Sequence, residues 1–151
     1  MSSSKIEVEV EVKSSAEKIW DSMTEFVTLF PKAFPDVYQS VEVLQGDGKS
    51  AGSTRLIKYA PELQMITTTT EKLEAVDPEK KIQSYSIIDG DLLKFYKSFK
   101  ATITVSPKDE GSLVKYEAEI EKASEEIPEP DLFKEFVVKN FKDLDAYLLK
   151  A

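Results

Sequence analysis

The chain has 151 residues, 41% of them hydrophobic and 32% charged, a balance that fits one globular domain with a single core, residues 1–151, rather than a disordered segment. Its formal charge of −8, from 20 Lys+Arg against 28 Asp+Glu with no run of bases, argues against a nucleic-acid partner. Cysteine and histidine are both absent, which excludes disulfides, thiolate nucleophiles, Ser-His-Asp chemistry and metal centres built on those ligands, and leaves carboxylates, Lys, Tyr or confinement as the means of any catalysis.

The first residues, Met1 to Lys5, lead into a strand pattern without the apolar stretch of a secretory leader, and no segment approaches the ~18 apolar residues of a membrane span. The expectation is a cytoplasmic protein with no membrane span. Ile6, Val8, Val10 and Val12 alternate with Glu7, Glu9, Glu11 and Lys13, the period-two pattern of a half-buried strand. The glutamate row is a solvated face that discourages edge pairing. Ser15 is placed to cap a helix carrying Ile19, Trp20 and Met23 at helical spacing. A second helix is expected from Glu25 to about Ala33, with Phe26, Leu29 and Phe30 on its apolar side, kept short by Pro31.

From Val37 to about Lys122 the pattern is β. Expected strands are Val37–Leu44, Ser53–Tyr59, Gln64–Val76, Ile82–Asp89, Phe95–Val105 and Leu113–Lys122, separated by Gly-, Pro- and Asp-rich turns short enough for antiparallel hairpins. A polar connector, Ser124 to Pro130, precedes a long amphipathic helix from Asp131 to Leu149. Seven antiparallel strands curled around a final helix make an α+β fold with one sheet.

Several residue groups bear on function. Gly46, Gly48 and Gly52 join two strands, where a dinucleotide fingerprint would need a helix to follow. A flexible hairpin loop is the first reading and anion binding by its N–H groups the second. Asp47, Asp89 and Asp91 lie in loops that lack the ligand spacing of an EF-hand, and no metal or other cofactor is expected. Strand parity turns Arg55, the one arginine, to the same side as Ile57 and Tyr59. Two roles stay open for it: pairing with a carboxylate near the sheet end, or anchoring a ligand at a cavity mouth. Gln83, Tyr85 and Ile87 share a face, as do Ile66, Thr68 and Thr70, and Val114, Tyr116, Ala118 and Ile120. So mixed a lining fits either a cavity with a few hydrogen-bonding groups or a core whose tyrosine hydroxyls reach the surface. The last helix turns Phe133, Phe136, Val137 and Phe141 towards the sheet, with Asn140 among them needing either a partner or a place at the helix edge.

The element order, together with Leu29 to Lys32, Gly46 to Ser53, and Tyr85 to Gly90, resembles the birch pollen allergen superfamily of pathogenesis-related class ten proteins. Asp89 to Leu92, Tyr96 to Phe99 and Tyr147 to Leu149 resemble its plant major latex protein-like branch. The resemblance runs nearly end to end. It implies a helix-grip fold, in which a curved seven-stranded antiparallel sheet surrounds a long C-terminal helix supported by two short helices, with an apolar cavity between. It implies a ligand-lining set of Met23, Phe30, Arg55, Ile57, Tyr59, Thr68, Gln83, Tyr85, Ile87, Phe99, Tyr116, Phe136, Val137, Asn140 and Phe141. The function it implies is binding and carrying a hydrophobic plant metabolite, steroid-like molecule or lipid, linked to defence or stress response, by a monomer or weak dimer. The alternative is a cofactor-independent cyclase or isomerase that folds a reactive metabolite in the same cavity, although the Lys-Tyr-carboxylate set of a norcoclaurine synthase has no counterpart here. A third class is an interaction protein in defence signalling.

Overall fold

The computed structural model describes residues 3–61, 67–127 and 131–150. In chain order the elements are β1 (Ser3–Val12), α1 (Ala16–Thr24), α2 (Phe26–Ala33), β2 (Tyr38–Gln45), β3 (Thr54–Tyr59), β4 (Thr68–Asp77), β5 (Ile82–Gly90), β6 (Tyr96–Lys108), β7 (Gly111–Lys122) and α3 (Asp131–Lys150). This is the expected order with one addition, a single 3-10 turn at Asp91–Lys94. Gly90, at φ +108°, ends β5, and Asp91 Oδ2 accepts a 2.9 Å hydrogen bond from Thr67 N, which fixes the turn against the start of β4. The expected beginning of β4 at Gln64, and the end of the polar connector at Pro128 to Pro130, lie outside the described residues.

The seven strands form one antiparallel sheet in the order β1-β7-β6-β5-β4-β3-β2. Strands β2 to β7 follow one another as neighbours, and the α1–α2 segment carries the chain from one sheet edge, β1, to the other, β2. Ser15 caps α1 by accepting from Lys18 N at 3.2 Å. Pro31 lies inside α2, which runs for only 8 residues. With α3 over its concave face, the sheet makes the helix-grip architecture. No helix among the described residues is long and apolar enough to cross a membrane.

The molecule packs solidly at one side. Ile6, Val8, Val10 and Val12 of β1 are buried with Val114, Ala118 and Ile120 of β7, Ile19 and Trp20 of α1, and Leu144 of α3. Their partners in alternation, Glu7, Glu9 and Glu11, face solvent. Lys5 pairs with Glu7 and Lys108 with Glu11 on that exposed face, where ion pairs contribute little.

One carboxylate fastens α3 to the turn after β1. Asp145 accepts from Lys13 N at 3.0 Å, Ser14 N at 2.8 Å and Ser14 Oγ at 2.6 Å, while Ser112 Oγ of β7 donates to Ser14 O at 2.9 Å. Burial opposes ionisation of Asp145, but the Ser14 and Lys13 hydrogen bonds outweigh it and hold the carboxyl below its ordinary pKa. Ser14 is 3% exposed, so losing its acceptor leaves polar groups unsatisfied out of reach of water. Asp145→Ala is expected to destabilise the fold by about 1–3 kcal/mol in urea unfolding at neutral pH. A carboxyl with a lowered folded pKa stabilises above its unfolded value, near ~3.9, and that stabilisation is lost as pH falls through the folded value. The difference between parent and variant should therefore shrink on acidification below about pH 4.

Candidate functional site: a tyrosine-lined cavity

Between the concave sheet face and α3 lies a cavity of about 510 Å³. That is far larger than the water-sized gaps of a packed interior and within the range of small-molecule sites, roughly 300–1,000 Å³. The solid and hollow parts of the molecule divide cleanly, for no residue of β1 borders the cavity.

Each wall follows from a local periodicity. Parity along β3 turns Arg55, Ile57 and Tyr59 inward, and along β5 Gln83, Tyr85 and Ile87. Phe99 and Tyr116 enter from β6 and β7, Met23 and Phe30 from α1 and α2, and Phe136, Val137, Asn140 and Phe141 from one face of α3. These are all of the expected lining residues except Thr68. Thr68 is not on the cavity wall; its neighbour Thr69 is. The register explains the correction: Ile57 lies opposite Thr69 and Arg55 opposite Glu71, so Thr69 and Glu71 share the inward face and Thr68 and Thr70 take the other.

Arg55 resolves in favour of the carboxylate. It is 3% exposed, and its Nη2 donates to Oε1 of Glu71, itself 6% exposed. Its Nη1 lies 3.5 Å from Gly48 O, and its Cζ sits 4.7 Å from the centroid of the Phe26 ring, a cation–π contact. Of the two roles left open for Arg55, pairing with a carboxylate is the one found, and the protein supplies the counter-ion. Glu71 was missed because a charged residue in a strand ordinarily faces water. Its even spacing from Leu73, which is fully buried, was the available signal.

Six of the remaining polar groups are tied in pairs. Tyr38 Oη donates to Asn140 Oδ1 at 3.0 Å, giving Asn140 a partner from the protein. The hydroxyls of Tyr85 and Tyr116 lie 2.7 Å apart, and Tyr59 Oη is 3.4 Å from Thr69 Oγ1. Burial pushes the Tyr38 and Tyr85 hydroxyls well above the ordinary phenol pKa, Tyr59 up to about 12, and Tyr116 upward too. All four stay protonated at neutral pH. Tyr38 and Phe26, which also line the space, stack with Phe30 and Tyr59 at centroid separations of 4.7 to 5.8 Å. Leu92, Phe95 and Ile127 add to the wall from turns and strand ends, where no periodicity marks an inward side, and Ile103 and Phe133 from β6 and α3.

The glycine loop is a self-satisfied hairpin connection. Gly46 and Gly48 adopt φ +81° and +80°, and a Cβ on Gly46 would lie 2.5 Å from Ser53 Oγ. Asp47 accepts from Lys49 N, Ser50 N and Ser50 Oγ, each at 2.8 Å, and those bonds hold its carboxyl well below the usual carboxylate range. The donors that would receive an external anion already hold an internal one. Among the described residues, no group of three or more acidic side chains is arranged to hold a metal ion.

A curved antiparallel sheet closed by a C-terminal helix over an aromatic cavity defines a helix-grip protein. The chain belongs to the pathogenesis-related protein Bet v 1 family, whose family model matches residues 1–151. It is 53% identical over 145 residues to MLP-like protein 423 of Arabidopsis thaliana, covering 96% of this chain and 94% of that protein, which places it among the major latex protein-like members. Among solved structures, ginseng major latex-like protein 151 from Panax ginseng superposes with a TM-score of 0.84 at 21% identity, covering 96% of this chain and 97% of that one. Norcoclaurine synthase from Thalictrum flavum, in complex with dopamine and hydroxybenzaldehyde, superposes with a TM-score of 0.82 at 23% identity, covering 99% and 88%. At these identities the structural likeness speaks for the fold.

Removing one member of the Arg55–Glu71 pair strands the other charge in a buried wall. Arg55→Met alone or Glu71→Leu alone is expected to cost about 3–5 kcal/mol in urea unfolding, whereas the double variant should lie much closer to the parent. Additive losses in the double variant would show that the two side chains act separately.

Proposed function

We propose that the protein binds and carries a hydrophobic small molecule in this cavity. The observation that carries the reading is the cavity itself: about 510 Å³ lined by phenylalanines, tyrosines and aliphatics, with a few fixed polar groups. That combination buries most of a ligand's surface while orienting it. The proposed contacts are the lining residues named from the sequence apart from Thr68, with Thr69, Glu71, Tyr38 and Phe26 added. A cyclase reading, suggested by a synthase of the same fold, has less support. Among the described residues no lysine lines the cavity, and its one carboxylate, Glu71, is engaged by Arg55.

Native mass spectrometry of protein taken from its source tissue is expected to show a small hydrophobic adduct that leaves on denaturation. Protein that arrives empty, and takes up no apolar compound when offered a panel, would overturn the carrier reading. Phe141→Ala bears on the same reading. Truncating a phenylalanine in a packed core costs about 3–5 kcal/mol. Phe141 borders the cavity, so its loss should fall below that range and should change ligand affinity. A full-sized loss with unchanged affinity would make Phe141 ordinary core.

A further inference from the structure

We propose that the cavity selects uncharged ligands bearing a carbonyl or hydroxyl group and discriminates against organic anions, because Glu71 cancels the one positive charge in its wall. The inference rests on the carrier reading and specifies the ligand class. Among the described lining residues, Arg55 and Glu71 are the only ones that carry a charge at neutral pH, one of each sign. They face each other directly in the β3–β4 register, so their pairing is set by the sheet itself.

Stability does not account for such a pair, since a buried ion pair is commonly no better than apolar residues of the same volume. Its effect on a ligand is more specific. Both Nη atoms of Arg55 already point at protein oxygens, and one face of the guanidinium rests on Phe26. Its Nε has no hydrogen-bond partner among the described residues, but it is sealed from solvent. An anion entering the cavity would lose its hydration, meet a cation that is already neutralised, and feel the repulsion of Glu71.

A neutral ligand meets better terms. Of the two O–H groups of Tyr85 and Tyr116, their mutual bond uses one proton, which leaves the other to donate. Asn140 accepts from Tyr38 through its Oδ1 and keeps its amide N–H groups for a ligand acceptor. These donors suit a carbonyl or hydroxyl oxygen and ask for no charge.

The test uses two fluorescent probes on one scaffold, the neutral N-phenyl-1-naphthylamine and its anionic 8-sulfonate, titrated into the parent and Glu71→Gln. The parent should bind the neutral probe more tightly. Glu71→Gln uncovers the Arg55 charge and should raise the ratio of sulfonate to neutral-probe affinity by about tenfold or more, whatever it does to the two affinities together. A second measurement needs no variant. Dodecanamide should displace the neutral probe from the parent at least about tenfold better than dodecanoate at mildly alkaline pH, and the gap should close as acidification protonates the fatty acid. Equal displacement by the two, or a sulfonate-to-neutral affinity ratio that Glu71→Gln leaves unchanged, would overturn the charge selection while the carrier reading stands. If neither the neutral probe nor the amide binds the parent, the carrier reading falls and this inference falls with it.

Discussion

A cavity of about 510 Å³ that no side chain occupies forgoes the protein–protein van der Waals contacts that hold most interiors together, so the rest of the molecule has to be stable around it. The structure meets that constraint by dividing its labour across the sheet. The core is dense around β1, where Ile6, Ile19, Val114 and Leu144 are wholly buried. Helix α3 packs against β1, and Asp145 ties it to the turn that follows that strand. The helix is therefore anchored at the solid side and lies across the hollow side without having to fill it. A substitution in the solid side should be felt as lost stability, and one in the hollow side as altered space.

Aromatic side chains suit the hollow side for a mechanical reason. A phenylalanine or tyrosine has few rotatable bonds and a flat, stiff body, so a chain of edge and tilted contacts can line a space without collapsing into it. Phe26, Phe30, Tyr38 and Tyr59 form such a chain across α2, β2 and β3. The hydroxyls then act as struts. The Tyr38–Asn140 bond joins β2 to α3 across the opening, and the Tyr85–Tyr116 contact joins the β5 and β7 walls. Each pair takes its hydrogen bond from within the protein, which lets the cavity be apolar in bulk with only a few donors left open to a ligand.

The fold was legible because its elements are periodic over long stretches. Alternation in β1 and the spacing of Phe133, Val137, Phe141 and Leu144 in α3 carry the element type and the buried side together. The cavity wall was legible for the same reason wherever parity was unambiguous, as at Arg55, Ile57 and Tyr59. It failed at Thr67 to Thr70, where four identical residues give parity nothing to distinguish and only pairing with β3 decides the inward face. Glu71 was lost with them, because a face made of Ile66, Thr68 and Thr70 leaves it on the opposite side, where a charged residue ordinarily belongs. Leu92, Phe95 and Ile127 sit in turns and strand ends, where local pattern holds no information about which way a side chain points and tertiary packing alone decides.

The distribution of charge completes the physical picture. With Arg55 and Glu71 cancelling in the wall, the formal −8 of the chain is carried elsewhere, in large part by exposed carboxylates such as the β1 row. A negative exterior keeps the protein dispersed and disfavours the approach of anions at long range, more so at low salt. The electroneutral interior acts at short range, where a partly dehydrated ligand meets fixed dipoles in place of water. The two act in the same direction by different means, and ionic strength separates them: salt screens the first and leaves the second nearly untouched. A preference for neutral ligands that survives high salt therefore belongs to the wall of the cavity, and one that fades with salt belongs to the surface.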